Sequence, residues 1–391
     1  MKPFTLSRIP VTYFGAGSLS QLNIVLSFLG SQNILLVTGQ TSFVQTEYYK
    51  GLLDQFRVKG LHYTEIRVKN EPTPQLIDDF SKHARKQGVQ LVLAIGGGSV
   101  IDTGKAISAM IPIQGSVLDY LEGVGTKSHS GEKVKMIAVP TTAGTGSEAT
   151  KNAVISEIGV NGYKKSLRHE NFVPDYALID PTLTLSSSDH ITASCGMDAL
   201  NQLLEAFLSI KSNTFIEALA LLGIEHIFNS LERLCLGESQ NIELRSKMSY
   251  ASYLSGIALA NAGLGVVHGF ASSIGGLIDI PHGVLCGKLN ATVMERIFIE
   301  IRSQDTHYTE EMIKLNKLCE FAGIGFVKGD ERIDALIERF YRLENNLNLP
   351  SLSRYNLTED LSRKAAGITS CKESPIKFNE SQLLEMIIKN I

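Results

Sequence analysis

The run Leu91-Val92-Leu93-Ala94-Ile95 contains no polar side chain, and it ends in three consecutive glycines, Gly96 to Gly98, followed by Ser99-Val100-Ile101-Asp102. A strand this apolar must be covered on both faces, as in a parallel sheet flanked by helices. Two further runs precede it, Ile34 to Thr38 ending at Gly39 and His62 to Val68, and another, Met136 to Val139, stops at Pro140. Between them, Pro74 to Lys86 and Asp102 to Met110 carry helical spacing. Residues 1–180 therefore read as alternating strand and helix, an α/β domain built on a parallel sheet.

Beyond Asp180-Pro181 the periodicity changes. The windows Gly196 to Ile210, Thr214 to Leu234, Leu244 to Asn261 and Arg332 to Leu343 place apolar residues at i, i+3, i+4 and i+7. Residues 181–391 are accordingly expected to form an all-helical domain. The boundary is set at Asp180-Pro181, because a residue before proline is pushed out of the α region and Ser186-Ser187-Ser188-Asp189 then offers a turn or helix cap.

Composition narrows the partners. With 37 basic and 40 acidic residues scattered along 391 positions, the net charge is -3 and no basic block marks a nucleic-acid or anionic-membrane surface. The five cysteines form no CxxC pair, which speaks against both a disulfide framework and a thiolate zinc site. The opening MKPFTLSRIP has no apolar signal core, and no stretch reaches the ~18 uninterrupted apolar residues of a membrane span. A cytoplasmic protein is expected.

Two loops suggest a phosphate-bearing ligand. Gly96 to Ser99 opens a helix after a buried strand, where free N–H groups and the helix dipole favour an anion; a ligand-free tight turn is the competing reading. The loop is neither GxGxxG nor a Walker sequence. The second loop, Pro140-Thr141-Thr142-Ala143-Gly144-Thr145-Gly146-Ser147-Glu148, also follows a strand and presents hydroxyls, although a polar linker would look similar. At the carboxyl ends of neighbouring strands the two would face one crevice, which suits a dinucleotide.

In the helical part, Asp198 and Gln202 are four apart and share a helix face, so they could share a cation; an Asp in a first helical turn beside an exposed Gln is the alternative. His268 and His282 each lie between apolar residues and a glycine, as metal ligands or as hydrogen-bonded core histidines. Together with Asp198 they would make an Asp/His/His set suited to zinc or iron, with a position open to substrate.

In this order the motifs resemble the iron-containing, or group III, alcohol dehydrogenase family of the dehydroquinate-synthase-like superfamily. The matching stretches are Phe14-Gly15-Ala16-Gly17-Ser18, Gly96 to Ile107, Pro140 to Thr150, Leu178 to Pro181, Gly196 to Leu200, and the His-Gly pairs at His268 and His282. The resemblance implies a Rossmann-like α/β nucleotide-binding domain joined to an all-α domain, an NAD(P)-dependent reaction on a small alcohol or aldehyde between them, and a homodimer or larger assembly. It also implies roles: Gly97, Gly98 and Ser99 on the pyrophosphate with Asp102 behind them, Thr141, Thr142 and Thr145 along the cofactor cleft, Lys164 or Lys165 near the cofactor, and Asp198, His268 and His282 on iron or zinc.

There are two departures. Gln202 stands where the family usually has a metal-binding histidine, similar to a variation in one subgroup, and Ser272 stands where a further histidine often follows the first His-Gly pair. An amide oxygen at Gln202 is a weaker ligand than imidazole, and Ser272 or a water would have to carry a proton. Gly39 replaces the carboxylate that would hold the ribose hydroxyls of NAD, and the following Gln40, Thr41 and Ser42 are neutral, which tips the choice toward NADP. The competing functions are a metal-independent reductase, a dehydroquinate-synthase-like lyase, and a nucleotide-binding protein with a decayed metal site.

Overall fold

Strands follow where apolar runs are longest. In the computed structural model, which describes residues 3–159, 161–303, 309–327 and 331–391, β1 (Val11–Phe14), α1 (Leu22–Leu29), β2 (Asn33–Gly39), α2 (Glu47–Val58), β3 (His62–Val68), α3 (Pro74–Lys86), β4 (Leu91–Gly96) and α4 (Gly98–Met110) come first. They are followed by β5 (Lys135–Pro140), β6 (Asn152–Glu157), β7 (Tyr163–Arg168) and β8 (Tyr176–Ile179). Strands β1, β8, β5, β4, β2 and β3 pair in that order, all parallel. Every residue of β4 is buried, as its sequence requires. One face of the sheet packs on α3 and α4 through Ile77, Ile101 and Ile107, and the other on α1 and α2 through Leu26, Leu52 and Phe56. Because α2 and α4 lie on opposite faces, the strand order reverses between β2 and β4, and the carboxyl ends of those strands open a crevice.

The rest of the chain is helical: α5 (Asp189–Leu208), α6 (Thr214–Cys235), α7 (Ile242–Ala262), α8 (Val266–Leu277), α9 (His282–Ser303), α10 (Glu310–Cys319), α11 (Glu331–Leu347), α12 (Glu359–Ile368) and α13 (Glu380–Ile388). These helices share one continuous apolar core. Among the described residues α6 is long and apolar enough to cross a bilayer, with 50 % of its most apolar window buried in the fold.

Several features differ from the sequence reading. Helix α5 begins seven residues before Gly196, at Asp189, because Ser188 accepts the N–H of Ile191 and caps it there. The hairpin of β6 and β7 is absent from the sequence reading, since Lys164, Lys165 and Arg168 break any apolar alternation. β1 also went unread, being four residues long and on the sheet edge.

Asp175, 8 % exposed, joins β5 to β8. Its carboxylate accepts the N–H of Met136 at 2.9 Å and Lys135 Nζ at 3.0 Å, and it pairs with Lys133. Burial opposes ionisation here, but Lys133 outweighs it and holds the carboxyl below its ordinary value. Asp175→Asn should therefore cost about 1–3 kcal/mol at neutral pH. The deficit should persist down to about pH 5 and shrink as acid protonates the wild-type carboxylate, whose unfolded pKa is ~3.9. Urea midpoints measured from pH 7 to 3 check this; a deficit independent of pH contradicts it.

Candidate active site

β4 passes into α4 through Gly97, which has no side chain to cap the first-turn N–H groups, and no acidic residue occupies that turn. The N–H groups of Gly98 and Ser99 are thus suited to an anion. The second loop lies directly against this turn, because β4 and β5 are parallel neighbours. A Cβ at Gly98 would fall 2.6 Å from Thr145 Cγ2, so only glycine lets the two loops approach this closely. Thr141 is buried, while Thr142 and Thr145 are half-buried. Gly39 ends β2 beside Val100 of α4, across the same crevice.

Asp102 faces inward. Its carboxylate accepts the N–H of Val154 at 2.9 Å and the hydroxyl of Ser147. Lys105, missed in the sequence reading, donates to Ser147 O at 2.8 Å, Thr150 Oγ1 at 2.8 Å and Asn152 O at 2.6 Å. Burial lowers its pKa to about 8 against the pull of Asp102 and Glu148. These two side chains brace the second loop from behind. Lys164 on β7 pairs with Glu71, and Lys165 is exposed.

The second centre lies among α5, α8 and α9. Asp198 is nine residues into α5 and 1 % exposed, so it is not a dipole-favouring residue of a first turn. Its Oδ1 lies 3.3 Å from His268 Nε2 and 3.4 Å from His282 Nε2. Cys286, one turn beyond His282, brings its Sγ within 3.8 Å of His282 Nε2 and 4.0 Å of His268 Nε2. One donor atom from each of Asp198, His268, His282 and Cys286 lies within 4.8 Å of all the others.

Glu205 stands behind His268: one oxygen is 2.7 Å from His268 Nδ1 and the other accepts the N–H of Val267 at 2.6 Å. This places a proton on Nδ1 and directs Nε2, the atom free to ligate once its own proton leaves, at Asp198. Gln202 Nε2 donates weakly to Asp198 Oδ2 at 3.4 Å, and its Oε1 accepts Ser255 Oγ at 2.8 Å. Ser272 donates to His268 O at 3.0 Å and receives Lys372 Nζ at 3.3 Å.

Electrostatics follow from that packing. Burial raises the Asp198 pKa, but His282 and His268 override it and hold the carboxyl well below the usual range. Burial disfavours charge on both imidazoles; Cys286 and Asp198 outweigh it, pushing His268 well up and His282 to about 9. Burial likewise opposes a Cys286 thiolate, and the two imidazoles reverse that and lower its pKa. Two acidic and two basic groups thus balance each other in a largely buried site, where a divalent cation can replace the protons.

Sequence reasoning missed Glu205, Cys286 and Lys372. Glu205 lies at i+7 from Asp198 and Cys286 at i+4 from His282, so helical spacing from the known candidates would have found both. Lys372 carries no local signal; the chain brings it in from 104 residues beyond His268.

Fold and clusters together define a class: a parallel α/β sheet with an anion-suited crevice, followed by a helical layer holding a buried carboxylate–imidazole–thiol centre. Residues 10–181 match the sequence profile of iron-containing alcohol dehydrogenase, and residues 192–391 match that of the Fe-containing alcohol dehydrogenase family, C-terminal. The chain belongs to the iron-containing alcohol dehydrogenase family and is an NAD(P)-dependent oxidoreductase of alcohols and aldehydes. It is 34 % identical to the probable alcohol dehydrogenase EutG of Escherichia coli over 83 % of this chain and 84 % of that one. It is 29 % identical to the NADPH-dependent butanol dehydrogenase of Clostridium saccharobutylicum, covering 98 % and 96 % of the two chains. A crystal structure of 1,3-propanediol oxidoreductase superposes with a TM-score of 0.88 at 26 % identity, over 100 % of both chains.

The tight loop contact gives a direct check. Gly98→Val would drive a side chain into Thr145 and splay the two loops apart. Titration of nicotinamide fluorescence should show NAD(P)H binding at least ~10-fold weaker, the size of a clash costing about 1.4 kcal/mol; unchanged affinity in a folded variant contradicts the assignment of this crevice.

Proposed function

We propose that the chain moves a hydride between NADP(H) and the carbinol carbon of a small alcohol or aldehyde, beside a divalent metal held by Asp198, His268 and His282. The carrying observation is the separation of Asp198 Oδ1 from the two Nε2 atoms, 3.3 and 3.4 Å. In a tetrahedral site with bonds of ~2.0–2.1 Å the ligand atoms stand about 3.3 Å apart. Two of the three ligand–ligand edges therefore already match zinc or ferrous iron, and the third lies within 4.8 Å. The metal, when bound, supplies Lewis acidity to the substrate oxygen.

In this proposal Glu205 keeps His268 in the ligating tautomer, and the uncapped turn at Gly97, Gly98 and Ser99 holds the cofactor pyrophosphate, with Thr141, Thr142 and Thr145 along the cleft. Of the two lysine candidates Lys164 is assigned to the cofactor, because it is half-buried beside Glu71 whereas Lys165 is exposed. Oxidation sends the carbinol hydride to the nicotinamide; the hydroxyl proton passes to Ser272 Oγ as Ser272 gives up its own proton to a neutral Lys372 Nζ 3.3 Å away, the neutral amine being favoured by burial against Glu205 and Cys286. That pair serves as the proton path. NADP is assigned because no carboxylate follows β2, where Gly39 stands.

The division into a nucleotide domain (1–180) and a metal and substrate domain (181–391) belongs to the same proposal, supported by the spans of the two matching profiles. A cytoplasmic setting is supported by five free cysteines. A homodimer or larger assembly is supported by the open sheet edge at β1, where Val11 is 54 % exposed.

The test is NADPH oxidation by the full chain with a panel of short aldehydes, beside His268→Ala. The wild type should prefer NADPH to NADH, and the variant should lose turnover by about 10²-fold or more, as expected when a group stabilising transition-state charge is lost. Full activity in the folded variant contradicts the metal role. A wild type that binds the nucleotide yet shows no net absorbance change with any substrate points to the lyase or binding alternatives.

A further inference from the structure

We propose that Cys286, and not Gln202, supplies the fourth protein ligand of the metal centre, so that this chain binds its ion through Asp198, His268, His282 and Cys286 and selects zinc over ferrous iron. The proposal rests on the metal assignment above and adds to it the identity of one ligand and of the ion.

Geometry separates the two candidates. Cys286 shares a helix face with His282, and its Sγ is 3.8 Å from His282 Nε2 and 4.0 Å from His268 Nε2. In a tetrahedral zinc site with a Zn–S bond of ~2.3 Å and Zn–N bonds of ~2.0 Å, sulfur and nitrogen stand about 3.5 Å apart. The thiol needs a shift of only about half an ångström to meet that edge.

Gln202 is oriented the other way. Its carboxamide oxygen, the only atom of that group able to bind a metal, accepts Ser255 Oγ at 2.8 Å, while the NH2 faces Asp198. Flipping the amide would set its oxygen against the Asp198 carboxylate, acceptor to acceptor.

The backbone keeps Cys286 in place. Asn201, three residues after Asp198 on α5, donates to Cys286 O at 3.0 Å and accepts Asn290 Nδ2 at 2.6 Å. Both asparagines are fully buried. The helices carrying the carboxylate and the thiol are thus joined next to the site. Cys195, on the same helix as Asp198, is not part of that cluster of donor atoms.

Charge and softness point to the same ion. Binding releases to solvent the protons shared among Cys286 and the two imidazoles, and carboxylate and thiolate then neutralise the dication in a largely buried site. A thiolate with two imidazoles favours zinc, which also stands above Fe²⁺ in affinity for such donors. The chain thereby reaches four protein ligands without Gln202, and the substrate oxygen enters as a fifth, an expansion of coordination that zinc allows.

The test uses metal-free full-length protein titrated with Co²⁺, whose thiolate-to-cobalt charge-transfer band in the near ultraviolet reports sulfur ligation and whose visible bands report binding. Wild type and Gln202→Ala should both show the charge-transfer band. Cys286→Ser should lose it while retaining visible bands, and should bind zinc about tenfold or more weakly, since even partners behind a ligand contribute that much. Visible bands without charge transfer in the wild type overturn the Cys286 assignment and leave the metal site standing. A wild type that binds no cobalt overturns both. The wild-type spectrum decides even where a variant fails to fold.

Discussion

The buried carboxylate of Asp198 is the constraint around which the helical half is arranged. Moving an ion of this kind out of water costs several kcal/mol unless charges and hydrogen bonds meet it. Here α8 and α9 each deliver an imidazole to the same oxygen, and Gln202 touches the other. The same demand explains why His268 is held from behind by Glu205, which would otherwise be an unmet charge in its own right. His282 has no such support: its Nδ1 is buried without a partner among the described residues. The two imidazoles are therefore unequal, one fixed and one free to adjust.

The same centre is tied to the crevice at the carboxyl ends of the strands. Ser255 on α7 donates to Gln202 Oε1 and lies 3.4 Å from Gly144 O in the second loop. Ser255 thus links the second loop to Gln202, and Gln202 links Ser255 to Asp198. Its amide suits that bridging role better than an imidazole would, because it offers a donor to the carboxylate and an acceptor to the hydroxyl at once.

Much of this was legible in the sequence, for physical reasons. A strand such as Leu91–Gly96 has one stable environment, so the parallel sheet and its crevice followed from composition alone. Pro74–Lys86 was read to the residue, since its spacing and the Thr73 cap agree. The motifs naming the family also placed Asp198, His268 and His282, which the fold does bring together. What escaped were residues defined by three-dimensional neighbours. Cys286 was set aside because it belongs to no CxxC pair, yet its partners are imidazoles on two helices rather than a second cysteine. Lys372 meets Ser272 only because its segment crosses the start of α8, where a Cβ on Gly269 would strike Ser370 O at 2.1 Å. The β6–β7 hairpin, charged and partly exposed, has no periodicity from which to read it.

The measurement that bears most directly on the account is the metal content of the full chain by elemental analysis, after purification with neither chelator nor added metal. The arrangement at Asp198 predicts close to one divalent ion per chain, lost together with aldehyde reduction when a chelator is applied and regained with it on reloading. A metal-free protein that reduces aldehydes with NADPH at a rate unaffected by chelator would contradict it.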